Sequence, residues 1–326
     1  FLGTFVYCIL VLPTIDGAGA GEEIVGARVA VTIAVLLAVT SLAMLVYYID
    51  HVAQSIHADA VVHGVGQELD AEIEKFFPED VGADAPEAGG ESQNAPRVEG
   101  DPVRITVEQS GYVRFMNGDT LLALAARRDL FVRVRLRPGA FATHGECVAE
   151  AWPADRVDAA VAQEIMSSFL FGAHRTTLQD LLFTFEQVSE VAMRAMSPGI
   201  NDPTTAVHCV DRIGSGLARF VTRELPSRWR ADGDGVVRIR VDPVELPEIL
   251  ESTVVAISRT AGVHLQVWRR LLGVLEIAAG RAERPADAEA LAACGRRLAE
   301  HGDAELGSAA DRRRLREAAA WATDAG

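Results

Sequence analysis

One uncharged stretch near the start of the chain limits what it can fold into. No residue between Arg28 and Asp50 carries a charge. As a helix, the 21 residues from Val29 to Ile49 would span roughly 31 Å, which matches the hydrocarbon core of a bilayer. A pair of tyrosines lies at the carboxyl end, where amphipathic rings favour the membrane interface. The pattern predicts a transmembrane helix.

The residues before this stretch predict a second membrane helix. Phe1 to Ile15 is also uncharged, but such a helix would reach only about 22 Å. We therefore expect the chain to start inside a transmembrane helix whose earlier part is missing. Residues 16–23 between the helices hold three acids and no base, and loops without Lys or Arg favour the outer face. The second helix then runs inward, which predicts that residues 50–326 are cytosolic.

Composition divides the remaining chain into four segments. Apolar residues recur near every 3.6 positions over residues 50–77, which predicts an amphipathic helix continuing from the membrane. Residues 78–102 hold four Pro, four Gly and seven acids, a composition typical of a flexible acidic linker. Alternating apolar and polar residues in VRITV, SGYVRFM and LFVRVRL predict a small β module over residues 103–153. Residues 154–326 are predicted to be mostly helical, with one strand at Val236–Val241.

These segments together define the expected fold class. We predict a mainly α membrane protein, in which residues 1–49 form a transmembrane helical hairpin that is truncated at its N-terminus. A cytosolic α+β region follows, consisting of the small β module and a helical C-terminal body.

Charge and composition exclude several classes of function. The net charge of −15 argues against a nucleic-acid partner. Only one of the 31 basic residues is a lysine, Lys75, so a lysine nucleophile or Schiff base elsewhere is excluded. The four cysteines never form C-x-x-C, and no P-loop, Rossmann or zincin motif occurs. We therefore predict no cofactor and no bound metal, and no catalytic residue can be named.

The segment from His174 to Leu217 is the most distinctive polar part of the chain. On a single helix beginning at His174, apolar residues would occupy one arc and polar residues the opposite arc. The polar arc consists of Arg175, Gln179, Glu186, Glu190 and Arg194. One hypothesis is that this arc lines a pore or pocket. The simpler alternative is a solvated face with weak ion pairs, each contributing a few tenths of a kcal/mol.

The sequence SPGINDP, residues 197–203, predicts a tight turn between two helices. Pro198 disfavours helix at the residue before it, so the first helix is predicted to end at Ser197. Gly199 permits a positive φ, and Asp202 caps the next helix, with a proline at its first position. The alternative is a ligand site, because many oxygens lie beside a helix N-terminus. They belong to Ser197, Asn201, Asp202, Thr204 and Thr205. Groups that could add proton transfer are Asp180, His208 and Asp211.

These motifs resemble those of one known family. The chain is similar to the bacterial predicted membrane proteins known as domain of unknown function 2254. The resemblance rests on FLGTFVYCILVL, YYIDHVAQSI, SGYVRFMNGDTL, RPGAFATHGE, HRTTLQD and above all RAMSPGINDPTTA. It covers nearly the whole chain except residues 78–102 and the last helices. It implies a multi-pass protein of the bacterial inner membrane, with a further hairpin before Phe1, and it supplies no biochemical activity.

Three hypotheses for the function follow, in this order. The first is a channel or transport-type subunit with a cytosolic domain, forming a homo-oligomer around a path for an ion or small molecule. The second is a membrane-anchored regulatory or scaffold protein. The third is a membrane-anchored enzyme that uses the SPGINDP corner, and it ranks last because no catalytic motif occurs. In each of them the lipid bilayer is a partner.

Overall fold

The computed structural model describes residues 2–16, 22–55, 64 and 99–324. The chain separates into two compact units, Phe1–Val61 and Val62–Gly326. Most of the chain is helical and a smaller part forms sheet, which confirms a mainly α protein with a sheet region.

Two predicted segments lie largely outside the described residues. The amphipathic helix predicted over residues 50–77 is described only up to Ser55 and at Gly64. The linker predicted over residues 78–102 is described only from Glu99 onward. Both therefore stay predictions.

The first unit consists of two helices that pack against each other. They are α1, Leu2–Asp16, and α2, Glu22–Ser55. The hydroxyl oxygens of Thr4 and Ser41 lie 2.8 Å apart and form a hydrogen bond between them. Within α2, Arg28–Tyr48 is a 21-residue stretch with a mean hydropathy of 2.6, and none of its most apolar part is buried. It begins and ends one residue before the span predicted from the uncharged run.

The second unit contains two small sheets. Their strands are β1 Val103–Thr106, β2 Gly111–Met116, β3 Phe131–Val134, β4 Phe141–Ala142, β5 Cys147–Trp152, β6 Phe169–Gly172, β7 Trp229–Ala231 and β8 Val237–Arg240. The larger sheet has the order β1-β5-β3-β8-β7 and the smaller one β4-β2-β6. The pairing of β3 with β8 is parallel, and the other described pairings are antiparallel.

The sheets extend beyond the residues where the sequence predicts a β module. Strands β6, β7 and β8 lie after residue 153, and of these the sequence predicts only β8, as the strand at Val236–Val241. β6 pairs with β2, β8 pairs with β3, and β7 pairs with β8. The reason is visible at β8, where buried Ile239 pairs with buried Val132 of β3. Burying both side chains in one core favours the pairing although the strands are distant in sequence.

The helices of the second unit pack on the sheets and on one another. They are α3 Gly118–Arg128, α4 Ala159–Ser167, α5 Leu181–Ala195, α6 Pro203–Phe220, α7 Leu246–Leu250, α8 Ala256–Ala261, α9 Leu265–Ala279, α10 Pro285–Glu305, α11 Ala309–Ala318 and α12 Ala320–Asp324. Short 3₁₀ turns lie at Ala154–Arg156 and Thr177–Gln179, and a π-helical turn, Glu251–Val255, joins α7 to α8. The helices from α5 onward bury one continuous apolar core.

Helices α6 and α9 meet at a glycine in the centre of this core. A methyl group added at Gly214 would lie 2.5 Å from Cγ1 of Val274, closer than real Cβ atoms approach a neighbour. The missing side chain therefore sets the separation of the two helices. Trp268 on α9 is fully buried in the same core, and its indole N–H donates to the carbonyl of Gly262 at 2.8 Å.

We expect Gly214→Ala to destabilise the protein by about 1–3 kcal/mol, because overpacking a tight core forces neighbours to shift. Gly273→Ala on the neighbouring helix is the matched control, since a Cβ there meets nothing within 4 Å. The control is expected to raise the free energy of unfolding by about 0.5–1 kcal/mol, because alanine has a higher helix propensity than glycine. Thermal unfolding of the detergent-solubilised protein measures both. Equal effects of the two substitutions would show that Gly214 does not set the helix contact.

Candidate functional site

The helix of the distinctive segment begins later than predicted. Helix α5 starts at Leu181, so Arg175 and Gln179 precede it, and the single helix expected from His174 is wrong at this end. The cause is Asp180, whose Oδ1 accepts a hydrogen bond from the backbone N–H of Phe183 at 3.1 Å. A side chain that caps the free N–H groups of a helix fixes where the helix starts.

Arg175 instead forms a partly buried ion-pair cluster with two acids. Its Nε donates to Asp180 Oδ2 at 2.8 Å, and its Nη1 donates to Glu186 Oε2 at 2.6 Å. The guanidinium also lies 4.7 Å from the ring centre of Phe183. Asp180 is almost wholly buried, with 3% of its side chain exposed, so Arg175 compensates a charge that water does not reach.

The electrostatics of the cluster agree with its geometry. Burial alone would lower the pKa of Arg175, but the hydrogen bonds and charges of Asp180 and Glu186 outweigh it and raise this pKa. Gly139, in the turn before β4, packs on the same carboxylate. It has φ +92°, and a Cβ there would lie 2.1 Å from Asp180 Oδ2. The cluster thus joins the sheet region to the start of α5.

Gln179 also links the 3₁₀ turn to a strand. Its side-chain oxygen accepts a hydrogen bond from the backbone N–H of Met116 at 2.8 Å, and its side-chain nitrogen donates to the carbonyl of Met116 at 3.2 Å. The amide therefore pairs with the end of β2 as another strand would. This arrangement ties the 3₁₀ turn to the smaller sheet.

The other members of the predicted polar arc lie on α5 at the surface. Glu190 and Arg194 are exposed, whereas the opposite face of α5 is buried. That buried face consists of Leu181, Phe185, Val188, Ala192 and Met196. The amphipathic pattern therefore holds from residue 181 onward, and the structure does not bring the five polar residues together as one lining.

The SPGINDP corner is built by capping interactions. Helix α5 ends at Ala195 and α6 begins at Pro203. Oδ1 of Asp202 accepts from the backbone N–H groups of Thr204 and Thr205 at 3.1 Å each, and Oδ2 accepts from the Thr205 hydroxyl at 2.6 Å. The backbone N–H of Asp202 in turn donates to the carbonyl of Ala195 at 2.8 Å.

Two details of the corner differ from the sequence prediction. The positive φ falls at Asn201, at 50°, and not at Gly199, because Asn tolerates the left-handed region. The first helix stops before Ser197, whose carbonyl accepts the backbone N–H groups of Ile200 and Asn201 at 3.0 and 2.9 Å. The hydrogen bond from the Thr205 side chain lowers the pKa of Asp202, and the charge of His208 adds to this effect.

The Arg175 ion-pair cluster and the SPGINDP corner are too far apart to form one site. The Arg175 cluster lies at the start of α5 and the corner follows its end, and a helix of 15 residues is about 22 Å long. Asp211, predicted as a proton-transfer group, pairs with Arg270 of α9. Among the described residues, no three His, Cys, Asp or Glu side chains lie close enough to hold a metal ion.

No local motif in the sequence identifies the partners of these residues. Gly139, Met116 and Arg270 come from distant parts of the chain. The RPGA motif does indicate a turn, but nothing in it indicates which carboxylate packs on that turn. Only the fold supplies these contacts.

Replacing Arg175 with methionine leaves Asp180 buried without its cation. Removing one partner of a buried ion pair costs about 3–5 kcal/mol. Because Arg175 is partly exposed, we expect Arg175→Met to lower the free energy of unfolding by about 3 kcal/mol, at the lower end of that range. The control Arg194→Met changes an exposed arginine of the same segment and is expected to stay within about 0.5 kcal/mol. Urea titration in detergent compares them. A loss no larger than that of the control contradicts the structural role of the cluster.

The lowered pKa of Asp202 predicts a pH dependence. A carboxyl group with a folded-state pKa below its ordinary value of 3.8 stabilises the protein above that pH, and the stabilisation is lost as pH falls through the folded-state pKa. Asn is also a good N-cap, so Asp202→Asn keeps the corner. We expect the wild-type protein to have a higher melting temperature than the variant at pH 7, and this difference to disappear at acidic pH. A pH-independent gap contradicts this assignment.

Comparison with known proteins places the chain in a family. It is 28% identical over 239 residues to the uncharacterized protein Mb1321c of Mycobacterium bovis and, to the same extent, to the uncharacterized protein Rv1290c of Mycobacterium tuberculosis. Each match covers 72% of this chain and 45% of the relative, so the chain spans less than half the length of these relatives. No solved structure matches significantly. Residues 1–277 match the family described as predicted membrane protein, and the chain therefore belongs to this DUF2254 family.

Proposed function

We propose that the protein is a multi-pass protein of the bacterial inner membrane, with α1 and α2 as a transmembrane hairpin. The hairpin would hold residues 99–324 at the cytosolic face as a regulatory domain. The observation that carries the proposal is the surface of α2. Its apolar side chains are exposed around the helix, among them Val35 at 55%, Leu36 at 62% and Leu42 at 62%.

Exposure on this scale is unfavourable in water and favourable in lipid. Burying one Val or Leu side chain away from water contributes about 1.5–3 kcal/mol. Arg28–Tyr48 carries such residues along a length that matches the hydrocarbon core. A bilayer is the environment that stabilises this stretch of α2.

The polar side chains of α2 support an anchor more than a pore. The hydroxyls of Thr32 and Thr40 donate to the carbonyls of Arg28 and Leu36, four residues earlier, at 2.8 Å each. The Ser41 hydroxyl bonds to Thr4 of α1. Polar groups in the hydrocarbon core of a bilayer must be hydrogen-bonded within the protein, because no water is present there to bond to them. The channel hypothesis and its homo-oligomer stay predictions.

The bonding of the candidate residues favours a regulatory role over an enzymatic one. Asp202 accepts its hydrogen bonds from the helix it caps, and Asp180 is held by Arg175. A carboxylate committed to a cap and one committed to a buried ion pair are poor general bases. Residues 16–23, which hold three acids and no base, support the cytosolic orientation.

A single charge in α2 tests the anchor. We expect Leu36→Arg to reduce the membrane-integrated fraction, because an arginine at the centre of a span costs about 2.5–3.5 kcal/mol on insertion. The control Leu178→Arg places the same charge at a leucine of the second unit that is 49% exposed. Resistance to alkaline carbonate extraction measures integration. Equal extraction of both variants, matching wild type, contradicts a span at Arg28–Tyr48.

Protease protection tests the orientation. The second unit is rich in exposed arginines, such as Arg127 at 63% side-chain exposure, and offers trypsin many sites. We expect digestion of this unit in inverted inner-membrane vesicles and protection in right-side-out vesicles. The opposite pattern would place residues 99–324 outside the cell and contradict the proposed topology.

A further inference from the structure

A small cavity in the second unit is not explained by the proposed function. Its volume is about 230 Å³, and it lies beside the start of α5, between the 3₁₀ turn, the end of β2 and the segments that flank β7 and β8. Much of the lining is apolar, including Met116, Leu181, Val241 and Val244. Two arginines, Arg137 and Arg230, also line it.

The two arginines differ in how their charges are compensated. Arg137 forms an ion pair with Glu248, donating from Nη1 at 3.1 Å, and also donates to the carbonyl of Pro243 at 3.2 Å. Arg230 donates only from Nη1, to the carbonyls of Ser227 and Trp229. In the part of the chain that the structure describes, its Nε and Nη2 groups have no hydrogen-bond acceptor and no acid pairs with it.

Partial burial of Arg230 without a paired acid among the described residues is unfavourable. Burial lowers the pKa of Arg230, and no described acid acts against that effect. A buried cation is normally paired or fully hydrogen-bonded, because removing it from water is unfavourable, and Arg230 is partly buried. The one acid that lines the cavity, Asp242, already accepts hydrogen bonds from Arg240 at 3.2 and 3.3 Å. Arg230 therefore keeps two donor groups for a partner from outside the described chain.

We propose that this cavity binds a small organic anion whose carboxylate or phosphate is held by Arg230. The planar guanidinium offers parallel N–H donors that match such groups. The apolar lining would cover a short hydrocarbon body. A water molecule occupies about 30 Å³, so the cavity suits a ligand of roughly eight non-hydrogen atoms. The proposal does not depend on the membrane topology, since every lining residue belongs to the second unit.

The full-length protein in detergent tests the proposal by titration calorimetry. The probes are benzoate and phenyl phosphate, with benzamide as a neutral match of benzoate. We expect saturable binding of at least one anion, and affinity for benzamide at least about tenfold weaker than for benzoate if benzoate binds, because hydrogen bonds to charged groups are the stronger ones. Whether the carboxylate or the phosphate binds more tightly identifies the acid group of the ligand.

Two substitutions of Arg230 and one control assign the binding to this residue. Arg230→Gln is expected to weaken anion binding at least about tenfold. Arg230→Lys keeps the charge but not the two-pronged geometry, so its affinity should lie between those of wild type and Arg230→Gln. The control Arg127→Gln changes an exposed arginine outside the cavity and should bind as wild type does.

Stability without ligand gives a second readout. Removing an unpaired, partly desolvated cation leaves no charge uncompensated, so Arg230→Gln should melt at or above the wild-type temperature. The proposal is overturned by no saturable binding of either anion, by equal affinity for benzoate and benzamide, or by unchanged anion affinity in Arg230→Gln. A large drop in the melting temperature of that variant would assign Arg230 a purely structural role and overturn it as well.

Discussion

The exposed apolar surface of α2, which is unfavourable in water, constrains the rest of the molecule. Apolar side chains are exposed around the central part of this 34-residue helix, and such exposure is unfavourable in water. The hydroxyls of Thr32 and Thr40 bond to carbonyls of their own helix and that of Ser41 bonds to Thr4 of α1, so these three groups need no water. The proposed membrane anchor follows from this exposed surface.

In the second unit, polar side chains join elements that are distant in sequence. Asp180 shows this most clearly, since it caps α5, pairs with Arg175 and packs on the turn at Gly139. Gln179 holds the same region to β2. Asp180 and Gln179 therefore hold elements together, and Arg230 is a group whose Nε and Nη2 donors have no acceptor among the described residues.

Local patterns made part of this structure predictable. The uncharged run located the apolar span, alternation located the strands between residues 103 and 152, and SPGINDP located the corner between two helices. The sequence failed where the outcome depended on distant partners. The late start of α5 follows from Asp180, which a helical projection treats as one more polar residue. Of the strands after residue 153 the sequence predicts β8 but not β6 or β7, and β6 pairs with β2, which is distant from it in sequence. The cavity at Arg230 has no local signature, because its lining comes from several separate segments.

Depth measurement along α2 tests the central claim most directly. Spin labels placed one at a time from Arg28 to Tyr48, on protein in bilayers, report collisions with oxygen, which concentrates in hydrocarbon, and with a water-soluble nickel complex. The account predicts that the ratio of oxygen to nickel collisions rises to a single maximum near Ala38 and falls towards both ends. Labels that collide with nickel at every third or fourth position along the whole stretch would instead indicate a helix lying at a water-exposed surface, and would contradict the membrane anchor.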